Sequence, residues 1–167
     1  MNSYGYDEAS AGAFAFGFIF GVIIYVINAW FMGRVFNKLG IKAWRAWIPV
    51  YSQWVFLEAG GFKGYLILIG LLGGIPFLGF FASIAIAVIL TMAAYRIGAG
   101  FHKSAGWTVL YFFLPFVWAG ILAFNKDHYD PQEARVNGAN PDVYPADRAE
   151  LGIGTNYGNP NSNPYNS

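Results

Sequence analysis

The spacing of the charged residues constrains this chain more than any other feature. Residues 9–33, 64–95 and 104–125 contain no Asp, Glu, Lys or Arg. Each stretch is at least as long as the roughly 20 apolar residues that cross the hydrocarbon core of a bilayer. Charged residues make up 11% of the chain, against about 25% in a typical soluble domain. The pattern therefore predicts an all-α integral membrane protein that crosses the bilayer several times.

The first apolar stretch is predicted to be a membrane helix over residues 11–32. The short polar N-terminus, residues 1–10, contains Asp7 and Glu8 but no Lys or Arg. A secretory signal peptide carries positive charge before its apolar run. The segment is therefore expected to stay in the mature protein as a transmembrane helix.

Residues 34–63 differ from the stretches on either side because they combine basic and aromatic side chains at helical spacing. Such side chains are favoured at the headgroup level of a membrane. We therefore predict an amphipathic helix along the membrane surface, interrupted near Gly40 and Pro49. The alternative is a cytoplasmic loop whose Trp residues pack on the protein itself. The predicted interface residues are Arg34, Lys38, Lys42, Trp44, Arg45, Trp47, Tyr51 and Trp54.

The second apolar stretch is too long for one straight crossing and too short for two, which would need about 40 residues. Gly73, Gly74 and Pro76 lie inside it, and proline breaks or kinks a helix. We predict a helical hairpin with a short arm over 65–72 and a full helix over 77–96. Residues 105–124 are then predicted to cross once, which gives about four membrane segments.

The C-terminal region has a different composition. Residues 125–167 are rich in Pro, Asn and Gly and poor in aliphatic side chains. Such a segment buries too little apolar area to offset its ordering entropy. The predicted organisation is thus a polar N-terminus (1–10), a helical membrane domain (11–124) and a disordered polar tail (125–167).

The distribution of Lys and Arg predicts the topology. Segments 34–63 and 96–103 hold most of the basic residues, and the positive-inside rule assigns them to the cytoplasm. With four crossings, both termini are then extracytoplasmic. A three-crossing alternative places Arg96 and Lys103 outside and the tail inside.

Small residues at four-residue spacing predict where helices pack closely, because they let two backbones approach. One stripe lies on the first helix and includes Gly17 and Gly21. The other lies on the helix after Pro76. Its members are Gly79, Ser83, Ala87 and Thr91.

The sequence carries no motif that points to catalysis. Cysteine is absent, which excludes disulfides and thiolate chemistry. The predicted spans hold no ionisable residue of the kind that marks proton or ion pathways. Residues 96–104 resemble a phosphate loop only superficially, because Ile97 and His102 stand where the motif requires glycine. We therefore predict no enzymatic activity, no cofactor and no metal site.

Several short motifs follow one another along the middle of the chain, namely Lys42-Ala43-Trp44, Ile48-Pro49-Val50-Tyr51, Ala59-Gly60, Ile75-Pro76, Ala94-Tyr95-Arg96-Ile97-Gly98 and Ala123-Phe124-Asn125. Together they resemble a family of small bacterial polytopic membrane proteins of unknown function, often labelled signal-peptidase-like or large exoprotein. The resemblance covers residues 34–129. It departs from the family pattern at Ser52, Gly79 and Asn125, where the pattern has Asn, Asn and Gly. It implies a topology and no established activity.

The function we expect is that of a non-catalytic accessory or interaction subunit in the bacterial plasma membrane. Its expected partners are membrane lipids and either other membrane subunits or further copies of itself, and no nucleic acid. The alternative is a channel or carrier component for a small solute.

Overall fold

The computed structural model describes residues 4–75 and 77–153, without the side chains of 4–10 and 71–74. This part of the chain contains seven α-helices, two 3₁₀ segments and no strand, which confirms the all-helical prediction for these residues. The 3₁₀ segments are Ala43–Trp47 and Gly64–Gly74. The helices are α1 (Tyr4–Leu39), α2 (Pro49–Ala59), α3 (Leu78–Ala99), α4 (Ala105–Phe113), α5 (Pro115–Phe124), α6 (Pro131–Val136) and α7 (Pro145–Glu150).

Among the residues that the structure describes, two helices are long and apolar enough to cross a membrane, namely Ala11–Leu39 within α1 and Leu78–Ala99. Helix α1 has 36 residues and is therefore about 54 Å long. It continues past the predicted boundary at Met32, so Arg34 and Lys38 belong to its last turns. It ends where Gly40 takes a positive φ of 78°, a conformation that favours glycine.

Residues 43–59 turn back along α1 instead of forming one surface helix. Ala43 lies beside Gly33, and the hydroxyl of Tyr25 donates to the carbonyl oxygen of Trp47, so the chain runs antiparallel to α1. Helix α2 begins at Pro49 and runs back to Gly60. The helical structure is therefore interrupted near Gly40 and Pro49, as predicted. Helix α2 buries Val55, Phe56 and Leu57 in the protein core, and a position of this segment along the membrane surface remains a prediction.

The predicted hairpin in the second apolar stretch is present. The 3₁₀ segment Gly64–Gly74 packs along α3, which begins at Leu78, so the two elements form a hairpin. Gly64 faces the Trp54 ring so closely that a Cβ there would collide with it. The start of this segment and the end of α3 therefore lie at the same end of the molecule.

The third apolar stretch is also a hairpin, which corrects the predicted single crossing. Lys103 Nζ, just before α4, lies 2.6 Å from Asp127 Oδ2, just after α5. One straight helix over residues 105–124 would separate these positions by about 30 Å. The reversal occurs at Leu114, because Pro115 lacks an N–H and starts a new helix.

Helix α2 and the α4–α5 hairpin meet in an aromatic cluster at the centre of the core. Phe56 of α2 stacks on Tyr111 of α4 at 5.6 Å between ring centroids, and Trp118 of α5 contacts Tyr111 at 5.1 Å. Trp118 is 1% exposed. The surrounding core draws on α1, α2, α3 and α5 and includes Val35, Phe36, Leu57, Ile97, Ala119 and Leu122.

Residues 125–153 are ordered and pack on the rest of the protein, which corrects the predicted disordered tail over this range. Helices α6 and α7 lie here, and Asp147 and Arg148 are only 4% and 1% exposed. Composition reports only how much apolar area a segment can bury. The tail is instead held by polar contacts to helix ends. The rest of the predicted tail, 154–167, lies outside the described residues.

Candidate functional site

The polar groups of the protein are concentrated at one end, which we call the polar cap. It consists of residues 39–42, 60–63, 100–104 and 125–153. Helices α1, α2, α3 and α5 all end at this cap, and an α-helix leaves its last carbonyl groups without helical partners. The cap is therefore the place where four sets of carbonyl oxygens need donors.

A buried arginine from the tail supplies the donor for α1. Arg148 Nη2 donates to the carbonyl oxygen of Leu39 at 2.9 Å. Arg148 lies against Gly40 so closely that a Cβ at that position would come within 2.9 Å of Arg148 Nε. The end of α1 and the tail helix α7 are thus fixed to each other.

The tail backbone caps two further helices. The N–H of Asn140 donates to the carbonyl oxygen of Ala59 at the end of α2, at 2.8 Å. The N–H of Asp130 donates to the carbonyl oxygen of Gly100, just after α3, at 2.7 Å. A Cβ at Gly100 would collide with the ring of Tyr129, so this approach requires glycine.

Two cations from the membrane-length helices complete the capping. Arg96 Nη1 donates to the carbonyl oxygens of Gly60 and Gly138 at 3.1 and 3.2 Å. Lys38 Nζ donates to the carbonyl oxygen of Leu122 in α5 at 2.5 Å. Because a helix C-terminus carries partial negative charge, cations at these positions also interact favourably with the helix dipoles.

An ion pair joins the first 3₁₀ segment to α7. Arg45 Nε lies 2.7 Å from Asp147 Oδ2, which also accepts from the backbone N–H of Lys42 at 3.2 Å. Burial raises the pKa of the Asp147 carboxyl, but these hydrogen bonds outweigh burial and hold the pKa below its ordinary value. Asp147 is therefore a carboxylate at neutral pH.

Glu58 is the centre of a second polar cluster. Trp54 Nε1 donates to Glu58 Oε1 at 2.7 Å, and the hydroxyl of Tyr144 donates to Glu58 Oε2 at 2.5 Å. Burial and then the hydrogen bond to Glu58 raise the pKa of Tyr144 above its ordinary value. Both carboxylate oxygens thus have donors, and the cluster ties α2 to the tail.

Donor atoms of His102, Asp130 and Glu133 lie within 4.8 Å of one another, a spacing that a metal ion could occupy. Asp130 Oδ1, however, accepts from the backbone N–H groups of Gln132 and Glu133, as a helix N-cap does. Glu133 Oε2 lies 2.5 Å from His102 Nδ1. The cluster is accounted for by capping of α6 and by the contact between His102 and Glu133.

A groove of about 760 Å³ lies between α3 and α4 beside the polar cap. Its apolar walls include Met92, Tyr95, Val109 and Phe112. Arg96 lines it where α3 approaches the cap. We refer to it as the α3–α4 groove.

The predicted interface residues lie at the end of α1 and along the hairpin 43–59. Trp44 and Trp47 are exposed, whereas Trp54 is held by Glu58. The Arg34 guanidinium lies over the Trp30 ring, with Cζ 4.5 Å from its centroid. Lys38 and Arg45 form capping and ion-pair contacts, which the sequence stripe did not reveal. A role at a membrane interface remains a prediction for all of them.

The predicted packing stripes have different surroundings. A Cβ at Gly17 or Gly21 would meet nothing within 4 Å. On α3, Gly79 is buried but Ser83 is exposed and donates to the carbonyl oxygen of Gly79 in its own helix. Ala87 and Thr91 are partly buried and linked by a similar bond. The face of α3 that packs on the described chain is centred instead on Ala82, Ala93, Ala94 and Ile97.

Asp147, Arg148 and Arg96 are the structurally important residues that sequence reasoning missed. A local signal for the tail was present in Asp130-Pro131-Gln132-Glu133, because Asp at the N-cap, Pro at the first position and Glu in the first turn mark a helix start. No comparable signal pairs Arg148 with Leu39, which is 109 positions away.

The fold defines an all-helical protein with two helices of membrane-spanning length and a capped polar end. The model of a family of unknown function, DUF5684, matches residues 44–132, which is more than half of the chain. The chain belongs to this family. The matched range contains α2 to α5 and the start of the tail. Neither a curated protein nor a solved structure matches the chain.

Proposed function

We propose that this chain is a multi-pass protein of the bacterial plasma membrane that acts as a non-catalytic accessory or interaction subunit. It binds either another membrane protein or a second copy of itself through α1. Lipids surround the remaining apolar surface, and nucleic acid is not a partner.

The proposal rests on one observation. The N-terminal half of the membrane-length segment of α1 is not packed against the rest of the described chain. Every residue from 11 to 24 is exposed, and Phe14 and Phe18 are 78% and 74% exposed. The stripe with Gly17 and Gly21 is open along this segment. Small residues on an apolar helix allow close approach of another membrane helix, so this stripe is the surface that the proposal assigns to the partner.

The charge distribution supports an orientation with the polar cap in the cytoplasm. All ten Lys and Arg residues lie between Arg34 and Arg148, in or near the polar cap, and the N-terminal ten residues have none. The positive-inside rule then assigns the N-terminus to the extracytoplasmic side. Residues 125–153 lie at the cap, so this orientation differs from the predicted one in which both termini were extracytoplasmic.

The contacts of the polar cap favour a structural role over catalysis. Arg148, Lys38 and Arg96 donate to helix carbonyls, and Asp147 is paired with Arg45. In each of these contacts a side chain caps a carbonyl group or pairs with an opposite charge, which stabilises the fold. This is the support for an accessory function.

The experiment compares three Leu variants of the full chain. Gly17→Leu and Gly21→Leu place a bulky side chain on the stripe, and Ala15→Leu places the same side chain on the opposite face of α1. Each protein is purified in mild detergent, and native mass spectrometry measures bound subunits. We expect wild type and Ala15→Leu to retain a partner or a second copy, and the two glycine variants to lose it.

A wild-type protein that is a monomer without a bound subunit would contradict the proposal. Equal assembly of all three variants would contradict the assignment of the stripe.

The alternative is a channel or carrier component, and the two proline-broken hairpins favour it. Broken helices at membrane depth recur in transporters, where their backbone lines a cavity. Helices α4 and α5 have 9 and 10 residues, so each reaches about 15 Å, half the depth of a hydrocarbon core. Solute flux through the isolated protein in liposomes would support this alternative over the first.

A further inference from the structure

The walls of the α3–α4 groove are mostly apolar. Thr91 lines the groove, and its hydroxyl donates to the carbonyl oxygen of Ala87 within α3 at 2.7 Å. Met92, Val109 and Phe112 also line the groove, with apolar side chains that are each 47–57% exposed. The volume of about 760 Å³ is within the range of roughly 300–1,000 Å³ that small-molecule sites occupy. The groove thus suits an apolar chain.

The polar end of the groove carries a positive charge that no carboxylate of the described chain neutralises. Arg96 donates to the carbonyl oxygens of Gly60 and Gly138, and its Cζ lies 4.1 Å from the centroid of the Phe62 ring. None of the ion pairs among the described residues involves Arg96. The guanidinium is therefore fixed in place and still available to an anion.

We propose that the α3–α4 groove binds one anionic phospholipid, with an acyl chain between α3 and α4 and its phosphate at Arg96. The proposal rests on the membrane orientation given under the proposed function, because that orientation places the groove in the cytoplasmic leaflet. A groove that is apolar along its walls and cationic at its headgroup end complements an anionic amphiphile. Basic pockets between membrane helices on the cytoplasmic side bind anionic headgroups in the same way.

The test uses the full chain in nanodiscs made from equal amounts of phosphatidylglycerol and phosphatidylcholine. Native mass spectrometry measures which lipids stay bound to the released protein. We expect wild type to retain phosphatidylglycerol in preference to phosphatidylcholine. Arg96→Gln should lower this preference about fivefold, the factor that one basic group contributes near an anionic surface. Arg96→Lys keeps the charge and should retain most of the preference.

A second pair of variants tests the groove without changing charge. Val109→Trp fills the groove and should reduce retention of both lipids. Val88→Trp adds the same side chain at an exposed position of α3 outside the groove and should leave retention unchanged. Wild-type preference in Arg96→Gln, or equal retention in the two Trp variants, would overturn the proposal. Loss of a bound polypeptide from Val109→Trp alone would also overturn it, since a protein would then occupy the groove.

Failure of this proposal is distinguishable from failure of the proposed function. Gly17→Leu, which tests the α1 surface, should keep the wild-type lipid preference because Gly17 is remote from the groove. A wild-type protein that fails to enter nanodiscs would overturn the membrane placement itself. A protein that enters nanodiscs but shows no lipid preference would overturn the lipid site alone.

Discussion

Arg148 Nη2 donates to the carbonyl oxygen of Leu39 at 2.9 Å, across 109 positions of sequence. This bond joins the last residue of a membrane-length helix to a short helix in a tail that composition alone predicts to be disordered. Four helices end at the same side of the molecule, and the tail provides donors to three of them. The tail therefore stabilises the membrane-length helices from their polar end.

The first prediction concerns this bond. Arg148→Met keeps a long side chain but leaves the Leu39 carbonyl without its donor in a buried site. We expect a loss of about 2–3 kcal/mol, the usual size for a buried hydrogen bond to a charged group. Thermal unfolding in mild detergent, followed by circular dichroism, measures the change. Lys126→Met, at an exposed position of the same tail, is the matched control and should unfold like wild type.

The second prediction is a pH dependence that Asp147 causes. Its pKa is lower in the folded protein than its ordinary value of 3.8, so protonation favours release of α7. The stabilisation is complete above that value and is lost as the pH falls through the folded pKa. We expect the same thermal stability at about pH 7 and pH 5, and a decline only below about pH 3.8.

Asp147→Asn tests the same carboxylate at neutral pH. Removing one partner of a buried ion pair leaves Arg45 uncompensated and should cost about 3 kcal/mol. The variant should also lose the part of the acid response that Asp147 contributes. A full acid response in Asp147→Asn would assign the effect to another carboxylate.

The third prediction concerns the packing of α2 on α3. A Cβ at Gly60 would lie 2.5 Å from Ala93 Cβ and 2.7 Å from Ala93 Cα, so Gly60→Ala must push the two helices apart. We expect a cost of about 1–3 kcal/mol. Gly98→Ala is the control, because its nearest neighbour would be 3.9 Å away and alanine favours the helix. Thermal unfolding should show a lower midpoint for Gly60→Ala and no loss for Gly98→Ala.

Much of the fold was predictable from local sequence signals. Gly40 ends α1, Pro49 starts α2, and the stretch around Pro76 forms the predicted hairpin. Pro115 carried the same signal, but residues 105–124 also have the length of one crossing. Contacts between distant residues, such as that between Lys103 and Asp127, reveal the reversal.

The polar cap was less predictable because it depends on pairs that are distant in sequence. Composition measures how much apolar area a segment can bury, and the tail has little. It does not measure the unsatisfied carbonyls at four helix ends, two of which Arg148 and the backbone of Asn140 satisfy. On α3, the face buried in the described chain differs in part from the small-residue stripe, because neighbouring elements decide which face of a helix is buried. Packing of the stripe against another membrane helix remains a prediction. Ala82 is buried there, whereas Ser83 is exposed.

We propose that the hairpin 105–124 leaves the polar cap and returns to it on the same side of the membrane. Thiol labelling measures on which side of the membrane each end of this hairpin lies. The chain has no cysteine, so single cysteines at Gly12, Ser104 and Lys126 can each be labelled specifically. An impermeant thiol reagent on intact cells should label position 12 and spare positions 104 and 126 until the cells are lysed. Labelling of position 126 together with position 12, while position 104 stays protected, would show that residues 105–124 cross the membrane and would contradict the account.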